Sequence, residues 1–577
     1  MVKCTIDGRE LLLEEGCSIK DGAAKAGIHI PTLCFLKDLN EIGACRVCVV
    51  EVEGYERLLS SCNTPVMDGM VIHTNSRKVR DARRCNVELI LSQHNVNCAI
   101  CSRSGNCVLQ TVANDLNILE VPFEKQLPRE KSSKKFPLIR EYDKCIKCMR
   151  CIQICDKIQH SNVWDLVNSG TKTTVDVREV YRLEDSLCAL CGQCITHCPV
   201  GALRERDDTE RVLRALEDPE RIVIAQIAPA IRTAWGEEFG LDPDFATVKR
   251  LASALRMMGF SYIFDTDFSA DLTIMEEASE FLHKLRNREH ESFPMFTSCC
   301  PGWVRFVKGH YPEFVDQLST SKSPQQMFGS IAKSYYAELL GVPPEKIFCV
   351  SIMPCVAKKA ECSYESMKGR SKEADVDVSL TTRELNRLIR EEHINPRELS
   401  ESELDMPLGI GSGAGNIFGA TGGVMEAALR SAYYFANGEN PDPDAFRSVR
   451  GMEGWKEREF EIAGAKLKIA VVNGLGNADK LLQALRAKTL SYDFVEVMAC
   501  PGGCVGGGGQ PIHEQEEFAG NRAPVLYRQD ADAPIRFSHE NPSIQAVYRD
   551  YLKEPLSELS EELLHTDHHA WRMPGER

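Results

Sequence analysis

Cysteine is the residue type whose spacing carries the most chemical information in this 577-residue chain, which contains 25 cysteines. Most of them are spaced as iron–sulfur or zinc ligands usually are. The first residues, Met1 to Gly8, show no apolar core of an export signal. An odd number of thiols without such a signal favours metal ligation over disulfides. The sequence therefore predicts an oxygen-sensitive metalloprotein of a reducing, cytoplasmic compartment.

The clearest cysteine motif occurs twice. Residues 188–199 match C-x2-C-x2-C-x3-C-P completely, and residues 145–156 match it except that Asp156 replaces the proline. This pattern is similar to that of two-cluster bacterial ferredoxins, in which the fourth cysteine of each copy ligates the other cluster. The resemblance implies one [4Fe–4S] cluster on Cys145, Cys148, Cys151 and Cys198, and another on Cys188, Cys191, Cys194 and Cys155.

Two further sets of candidate ligands precede these copies. The first comprises Cys34, Cys45, Cys48 and Cys62, and the second comprises His94, Cys98, Cys101 and Cys107. The spacing of Cys45 and Cys48 lets both thiolates reach one iron from a single turn. The four-residue spacing of His94 and Cys98 predicts one face of a helix. Either set could instead bind zinc, although the first lacks the second C-x2-C pair of many structural zinc sites.

A fifth set is spread over about 200 residues and lies in three motifs: Thr297–Trp303 (TSCCPGW), Met353–Glu361 (MPCVAKKAE) and Glu496–Gln510 (EVMACPGGCVGGGGQ). Proline and glycine flank the cysteines, which predicts that each lies in a turn. The run Gly506–Gly509 has no Cβ atoms, so its backbone could approach a cofactor closely. Such a loop could instead bind a nucleotide, but no complete G-x-G-x-x-G follows a clear strand.

Together the three motifs resemble the signatures of the [FeFe]-hydrogenases. The upstream sets are similar, over nearly the whole chain, to those of the clostridial-type monomeric enzymes with four accessory clusters. The first set then corresponds to a [2Fe–2S] cluster and the second to a His-ligated [4Fe–4S] cluster. The resemblance implies an H-cluster, a [4Fe–4S] cube joined by one thiolate to a diiron unit with CO, cyanide and azadithiolate ligands. Its implied cube ligands are Cys300, Cys355, Cys500 and the bridging Cys504.

The resemblance also implies roles for residues around the diiron unit. Lys358 should donate a hydrogen bond to a cyanide ligand. The pocket should be lined by Ala228, Pro229, Met353, Phe418 and Met498. Where some relatives have serine after the Ala-Pro pair, this chain has Ala230, so one hydroxyl donor is missing. Without the resemblance, the five pocket residues would be interpreted as ordinary core.

A proton relay is implied from Cys299 through Glu277, Ser319 and Glu280. Spacing alone does not tell which of Cys299 and Cys300 binds iron. Glu277 and Glu280 are three residues apart on a predicted helix and hence on one face. By themselves they would be interpreted as a solvated face. The outer end of the relay is an arginine in relatives, and here it could be Lys284 or Arg286.

The elements that must position these residues form a predicted multidomain α+β and α/β protein. The predicted parts are an N-terminal β-grasp ferredoxin-like domain (1–78), a small helical His/Cys3 segment (79–125), a two-cluster ferredoxin-like module (126–208) and a large two-lobed α/β catalytic domain (209–577). A charged linker is predicted from Lys125 to Pro137. In the last part, apolar runs at 222–227, 347–353 and 467–472 alternate with helical segments, which predicts parallel strands.

Charge and hydropathy narrow the class of function. The net charge of −15 disfavours a nucleic-acid surface, and no apolar run reaches the roughly 18 residues of a membrane span. The predicted protein is a cytoplasmic monomer that interconverts protons, electrons and H₂, exchanges electrons with ferredoxin or flavodoxin, and needs maturation proteins for its diiron unit.

Two alternatives stay open from the sequence. One is a non-catalytic or sensory iron–sulfur electron-transfer subunit, against which the intact Cys299, Lys358 and glutamate pair argue. The other is a complex I-type dehydrogenase subunit that shares the N-terminal half, against which the three C-terminal motifs argue.

Overall fold

The computed structural model describes residues 1–128, 133–179, 182–369, 372–514 and 516–574, which form two compact units. Residues 129–132, within the predicted linker, lie outside the described residues. The first unit comprises Met1–Lys157, Asn162–Glu179 and His197–Arg204, and the second comprises Ile158–Ser161, Val180–Thr196 and Glu205–Arg577. The second copy of the repeated cysteine motif is therefore divided, because Cys188 to Cys194 belong to the second unit and Cys198 to the first.

The first unit begins with a five-stranded mixed sheet. Its spatial order is Arg9–Leu13, Val2–Ile6, Val71–His73, Val49–Val52 and Leu59–Ser60. Alternate residues of the first strand, Cys4 and Ile6, are buried, as period-two patterning requires. Helix Ile19–Lys25 packs beside the sheet residues in one apolar core, and the Ser18 side chain caps it by accepting from Asp21 N at 3.1 Å.

The rest of the first unit is built from short elements. Its helices are Arg77–Ser92, Val108–Asp115 and Arg150–Gln153, and two short strand pairs join Trp164–Val167 to Thr174–Val177 and Leu138–Arg140 to Leu203–Glu205. The first helix ends at Ser92, and Cys98 begins a separate 3-10 turn. The prediction that His94 and Cys98 share a helical face is therefore wrong. Asn95 and Asn97 follow the helix, and asparagine favours turns over helix interiors.

The second unit contains two four-stranded sheets. One is entirely parallel, in the order Tyr262–Asp265, Ile222–Ile227, Ile347–Met353 and Val378–Thr381. The other has the order Met295–Phe296, Phe494–Met498, Ala465–Asn473 and Trp455–Ile462, and only its last pair is antiparallel. The predicted strands 222–227 and 347–353 are confirmed, because continuous apolar runs are typical of parallel strands that are buried on both faces.

Helices connect and cover these sheets. Their bounds are Gln193–Thr196, Thr209–Leu216, Val248–Met257, Thr266–Arg286, Pro301–His310, Pro324–Ile331, Ala337–Leu340, Ala357–Glu361, Thr382–Glu391, Gly413–Asn416, Gly423–Asn437, Leu475–Arg486, Ala519–Asp532, Pro542–Val547 and Glu558–Leu564. Within the described ranges, no helix has both the length and the apolar composition that crossing a bilayer requires.

The parallel strands explain where the candidate site residues lie. Ala228 and Cys355 follow the carboxyl ends of two neighbouring strands of the first sheet, and Cys300 and Cys500 follow two neighbouring strands of the second. Ligand sites of open α/β sheets form at this edge. The fold therefore directs three distant motifs to carboxyl-end loops.

Candidate active site

The four cysteines of the split set converge in the second unit. Cys300 is the N-cap residue of helix Pro301–His310, and its Sγ accepts from Ala499 N at 3.5 Å. Burial, followed by the charge of Cys300, raises the pKa of Cys355 to about 11. Burial raises the pKa values of Cys500 and Cys504 as well. The charges of Cys355, Cys191, Cys300 and Cys504 add to the increase at Cys500, and those of Cys300 and Cys355 add to the increase at Cys504. Four mutually interacting thiols from three loops suit a cubic iron–sulfur cluster, whose irons would deprotonate them.

Each ligand of a cubic cluster binds a different iron, so the four ligands need not meet at one point. Among the described residues, no three side chains of His, Cys, Asp or Glu converge closely enough to hold one ion.

The glycine run Gly506–Gly509 packs against protein backbone. A methyl group on Gly507 would lie 2.1 Å from the Pro354 carbonyl oxygen, and one on Gly508 would lie 2.3 Å from that of Cys191. The thiol of Cys500 also lies 3.7 Å from the Cys191 carbonyl oxygen. Glycine is thus required in this run because the Cys191 loop contacts the split site there. The sequence predicted a different reason, the close approach of a cofactor.

Lys358 is buried at the split site. Its ammonium donates to the Cys299 carbonyl at 3.1 Å and to Glu361 at 3.0 Å. Burial is the largest single effect and opposes its charge, but Glu361, Cys355 and Cys299 together outweigh burial, so the pKa of Lys358 is raised. An ammonium has three donors, and these described partners take two. The third is available for an anionic ligand.

Apolar side chains enclose the same site. Cys299, Phe418 and Met498 belong to one buried group, against which Cys300 and Cys504 pack. Ala228 and Met353 belong to a second group with Cys355 packed against it. Pro229 starts the buried turn Pro229–Ile231, which contacts the Phe418 turn. All five predicted pocket residues are buried near the split set.

Glu277 is a buried carboxyl group beside Cys299. Burial and the charge of Glu280 raise the pKa of Glu277 to about 8, so it holds a proton at neutral pH. Burial and Glu277 in turn raise the pKa of the Cys299 thiol. Within the described ranges neither carboxyl oxygen of Glu277 has a partner at hydrogen-bond geometry, although Ser319 and the Ser298 amide favour its charged form in part.

Glu280 continues from Glu277 towards the outside. Its carboxylate accepts from Ser319 Oγ at 2.8 Å and from Thr320 N at 3.2 Å, and Lys284 pairs with it at 3.3 Å. Both Glu277 and Glu280 are buried on helix Thr266–Arg286, which excludes the alternative of a solvated face. The structure thus brings together Cys299, Glu277, Ser319 and Glu280, with Lys284 at the outer end.

Sequence reasoning missed Glu496, which lies inside a quoted motif. It is fully buried in strand Phe494–Met498 and accepts from Gly422 N and Met425 N, both at 2.7 Å. Burial raises the pKa of Glu496 to about 7, and its charge acts on both Glu277 and Cys504. A glutamate within an apolar strand is the sequence signal that could have identified it.

The first candidate set forms two close thiol pairs. Cys34 lies beside Cys45, and the Sγ atoms of Cys48 and Cys62 are 3.4 Å apart. Hydrogen bonds from the partner thiols lower the pKa of Cys45 to about 6 and that of Cys48 to about 7. The same hydrogen bonds raise the pKa values of Cys34 and Cys62. One thiol of each pair therefore ionises readily, as metal ligands must.

The second candidate set is centred on a buried histidine. The His94 Nδ1 donates to the Lys144 carbonyl at 2.9 Å, which leaves Nε2 for a metal. Burial lowers the pKa of His94 and favours the neutral ring that ligation requires. A methyl group on Gly201 would lie 2.5 Å from Cys101 Sγ, so this set adjoins the loop after Cys198.

The repeated motif is brought together in part. Cys145, Cys148, Cys151 and Cys198 line one apolar cavity with Arg140 and Trp164, the grouping that the crossed arrangement predicts. Asn40 Nδ2 donates to the carbonyls of Cys34 and Cys148, at 2.7 and 2.9 Å, and so joins the first set to this one. Cys155 lies in the π-helical segment Ile154–Ile158 of the first unit. Cys188, Cys191 and Cys194 lie in the second unit, where Arg305 Nε donates to the Cys188 carbonyl at 2.9 Å.

Five family descriptions match successive parts of the chain. Residues 221–508 match "Iron only hydrogenase large subunit, C-terminal domain" and residues 516–571 match "Iron hydrogenase small subunit". Upstream, residues 1–77 match a 2Fe-2S iron-sulfur cluster binding domain, 83–122 an NADH-ubiquinone oxidoreductase-G iron-sulfur binding region, and 144–202 a 4Fe-4S dicluster domain.

Individual relatives cover nearly the whole length. The HndD subunit of an NADP-reducing hydrogenase from Solidesulfovibrio fructosivorans is 47% identical over 98% of each chain. Iron hydrogenase 1 from Clostridium pasteurianum is 40% identical over 97% of this chain and 98% of that protein. A solved structure of [FeFe]-hydrogenase HydA1 from Chlamydomonas reinhardtii is 41% identical, covers 64% of this chain and all of that one, and has a TM-score of 0.57.

Proposed function

Because this chain belongs to the [FeFe]-hydrogenases with accessory iron–sulfur domains, we propose that it interconverts two protons and two electrons with H₂ at an H-cluster. One observation carries the proposal. The free thiol of Cys299 lies beside the four converging cysteines and within electrostatic range of Glu277, a buried carboxyl that is protonated at neutral pH. A proton donor is thus placed against a cluster site, which a subunit that only conducts electrons does not need.

The residues of the split site fit the H-cluster. Cys300, Cys355, Cys500 and Cys504 hold the cube, and Lys358 directs its remaining donor at an anionic ligand. Met353, Phe418 and Met498, with Ala228 and Pro229, exclude water and shape the pocket. When bound, the H-cluster supplies the iron centre at which protons and electrons combine.

Protons move through groups that can both give and take them. Cys299 exchanges its thiol proton with Glu277, and the Ser319 hydroxyl connects Glu277 to Glu280. Low-dielectric surroundings keep the Glu277 carboxyl neutral between proton transfers. The proposed path is therefore a short series of buried acid–base groups.

Electrons reach the site through one [2Fe–2S] and three accessory [4Fe–4S] clusters in this proposal. Within the first unit, the sets of Cys34 and of His94 both adjoin the set completed by Cys198, so two routes meet there. Within the second unit, the contact between Cys191 and Cys500 supports electron transfer from the Cys188–Cys194 set into the cube.

The proposed electron partner is ferredoxin or flavodoxin, and the proposed enzyme acts as a cytoplasmic monomer. A second candidate is favoured by the relative that is named as a subunit of an NADP-reducing hydrogenase. In that case a separate subunit that binds NADP(H) would exchange electrons with the N-terminal clusters. The chain would then be the H₂-converting subunit of an assembly.

Infrared spectra of the protein, matured together with the proteins that build the diiron unit, test the proposal. We expect bands of metal-bound CO and cyanide together with H₂ release from reduced ferredoxin. The Cys300→Ala protein is the control that should lack the bands. A mature protein without bands and without turnover would be the non-catalytic subunit instead. The second candidate would be selected if H₂ turnover with NADPH depended on an added subunit and if ferredoxin and flavodoxin supported no turnover.

A further inference from the structure

An open pocket with a volume of about 500 Å³ lies at the outer end of the proposed proton path. It is lined by polar and titratable side chains from two regions that are about 245 residues apart, and these include Thr320, Glu561, His565, Asp567, His568 and Asp316. The relay described so far uses none of them. All belong to the second unit.

Thr320, His565 and Glu276 form a hydrogen-bonded series in the wall of this pocket. His565 Nδ1 lies 2.8 Å from Thr320 Oγ1, and its Nε2 lies 3.1 Å from the Glu276 carboxylate. A carboxylate only accepts, so Nε2 carries the hydrogen and Nδ1 presents its lone pair to the threonine hydroxyl. Glu276 thereby fixes the ring in the tautomer that can take a proton from the pocket side.

Glu276 is well suited to position His565. Its carboxylate is fully buried and also accepts from Tyr548 Oη at 2.5 Å, from Leu556 N at 2.9 Å and from Ser560. A carboxylate fixed in this way orients the imidazole beside it. Glu561 and Asp567, from other parts of the chain, also line the pocket that His565 faces.

The same pocket wall touches Glu280 directly. Thr320 N donates to both carboxylate oxygens of Glu280 at 3.2 Å. Thr320 is exposed. Water in the pocket that contacts its hydroxyl is therefore next to the residue whose amide binds Glu280. His568 Nε2 donates to the Ser319 carbonyl at 2.8 Å and holds this segment in place.

Lys284, one of the two predicted candidates for the outer end beside Arg286, is a poor exchanger in this chain. Its ammonium is tied to Glu280 at 3.3 Å and is largely buried, with 13% of the side chain exposed. A charged ammonium donates hydrogen bonds but accepts none. It must therefore lose a proton and its ion pair before it can accept one from Glu280.

We propose that protons pass between Glu280 and solvent through this pocket, with His565 as the exchanging base and Glu276 as its positioning residue. The inference rests on the proposed hydrogenase function for its turnover measurement. In this path the proton crosses between Glu280 and His565 through water in the pocket, because the Thr320 amide only holds the Glu280 carboxylate in place. His565 is then the outermost member of the relay, and Lys284 is a countercharge to Glu280.

The test uses the full mature enzyme at low buffer concentration. His565→Gln keeps a hydrogen-bonding side chain but cannot titrate, and we expect H₂ turnover to fall by about 10²-fold, the lower end for a positioned acid–base group. His565→Ala should fall similarly and recover when imidazole is added, because the pocket has room for it. His290→Gln is the matched control, since His290 is exposed and does not line the pocket, and it should keep the wild-type rate.

A second measurement does not depend on turnover. In protein that lacks the diiron unit, the infrared carboxyl band of Glu277, identified by its loss in Glu277→Gln, should exchange more slowly in D₂O when His565 is Gln. If the wild-type enzyme makes no H₂ but exchange of the Glu277 band is still slower in the His565→Gln variant, the proposed function is refuted and the proton path is kept.

Two results would overturn the path. One is a wild-type rate in both His565 variants together with lost turnover in Lys284→Met, which would place the exchange at Lys284. The other is a slow His565→Ala enzyme that imidazole does not restore and whose exchange in D₂O is unchanged, which would make His565 structural.

Discussion

Neighbouring cysteines can have opposite chemistry when their surroundings differ. Cys300 is an N-cap residue whose thiol accepts from Ala499 N, and its charge raises the pKa values of the other three cysteines of the split set. The thiol of Cys299 instead belongs to an apolar group with Phe418 and Met498 and has a raised pKa, chiefly through burial. We propose that the Cys300 side chain binds metal and that the Cys299 side chain keeps a proton.

Replacing each of these cysteines should separate the two roles. In Cys299→Ala we expect nearly unchanged CO and cyanide bands and a loss of H₂ turnover of at least about 10²-fold, because a proton donor is removed but no ligand. In Cys300→Ala the cube should not assemble. The proposal for this pair is wrong if the bands are lost in the first variant and kept in the second.

Glu277 should make the stability of the protein depend on pH. Its folded pKa is about 8 and its unfolded value is about 4.5. As pH rises between these values, the unfolded chain loses the proton that the folded chain keeps, so the free energy of unfolding decreases. In Glu277→Gln this decrease should be absent, and urea unfolding of both proteins from pH 5 to 8.5 would show it. Parallel curves would mean that Glu277 is not buried as described.

The residues of the site could be predicted only where a local motif exists. The cysteines, Lys358 and Phe418 lie in short patterns or follow from a family pattern, and the structure places them together. The His565–Thr320 contact joins positions 245 residues apart, and nothing in either segment indicates the other. Cys85 is an exposed residue of helix Arg77–Ser92, and a lone cysteine on an amphipathic helix carries no sequence signal of the face on which it lies.

Among the elements, loops at the carboxyl ends of parallel strands do most to build the site. Strands 222–227 and 347–353 could be predicted because their apolar runs are continuous and each matches the observed strand. The end of helix Arg77–Ser92 could not be predicted from strong breakers, because no proline or glycine follows it before Gly105. Helix ends are set by local hydrogen bonding, which hydrophobic spacing does not report.

The glycine loop gives a prediction at this scale. Gly508→Ala would put a methyl group 2.3 Å from the Cys191 carbonyl oxygen and 2.5 Å from Gly192 Cα, both backbone atoms that cannot rotate away. We expect the loop to shift, the electron paramagnetic resonance signals of the adjacent clusters to change, and turnover with ferredoxin to fall. Gly520→Ala is the control, because nothing lies within 4 Å of its Cβ position in helix Ala519–Asp532 and Ala favours a helix by about 1 kcal/mol over Gly. Equal behaviour of the two variants would show that the close contact is unimportant.

At the scale of the whole chain, the accessory cysteines and the catalytic residues are not divided by the predicted boundary at 208/209. Residues Val180–Thr196 belong to the compact unit that contains the split site. Gln193 Nε2 donates to the Gly506 carbonyl at 2.9 Å, and Arg305 reaches the Cys188 carbonyl. The predicted domain limits stay a prediction, and these contacts join the segment from Cys188 to Gln193 to the part of the chain that contains the split site.

Truncation tests whether the N-terminal clusters conduct electrons while the C-terminal part assembles the H-cluster. A protein that begins at residue 209 should still assemble the H-cluster, since a solved relative consists of a matching portion that covers 64% of this chain. Turnover with a small artificial reductant should survive better than turnover with ferredoxin, because the accessory clusters are absent. Equal loss with both reductants would indicate that the N-terminal clusters are structural and do not conduct electrons.

The close approach of Gly192 and Gly508 has a consequence for recombination between relatives. A methyl group on Gly192 would lie 2.9 Å from Gly508 Cα, and one on Gly508 would lie 2.5 Å from Gly192 Cα, so each position excludes a side chain at the other. A chimera that takes its cluster modules from one parent and its catalytic portion from another must therefore have glycine at both positions. A crossover that keeps both glycines from one parent lies before residue 192, upstream of the predicted domain limit.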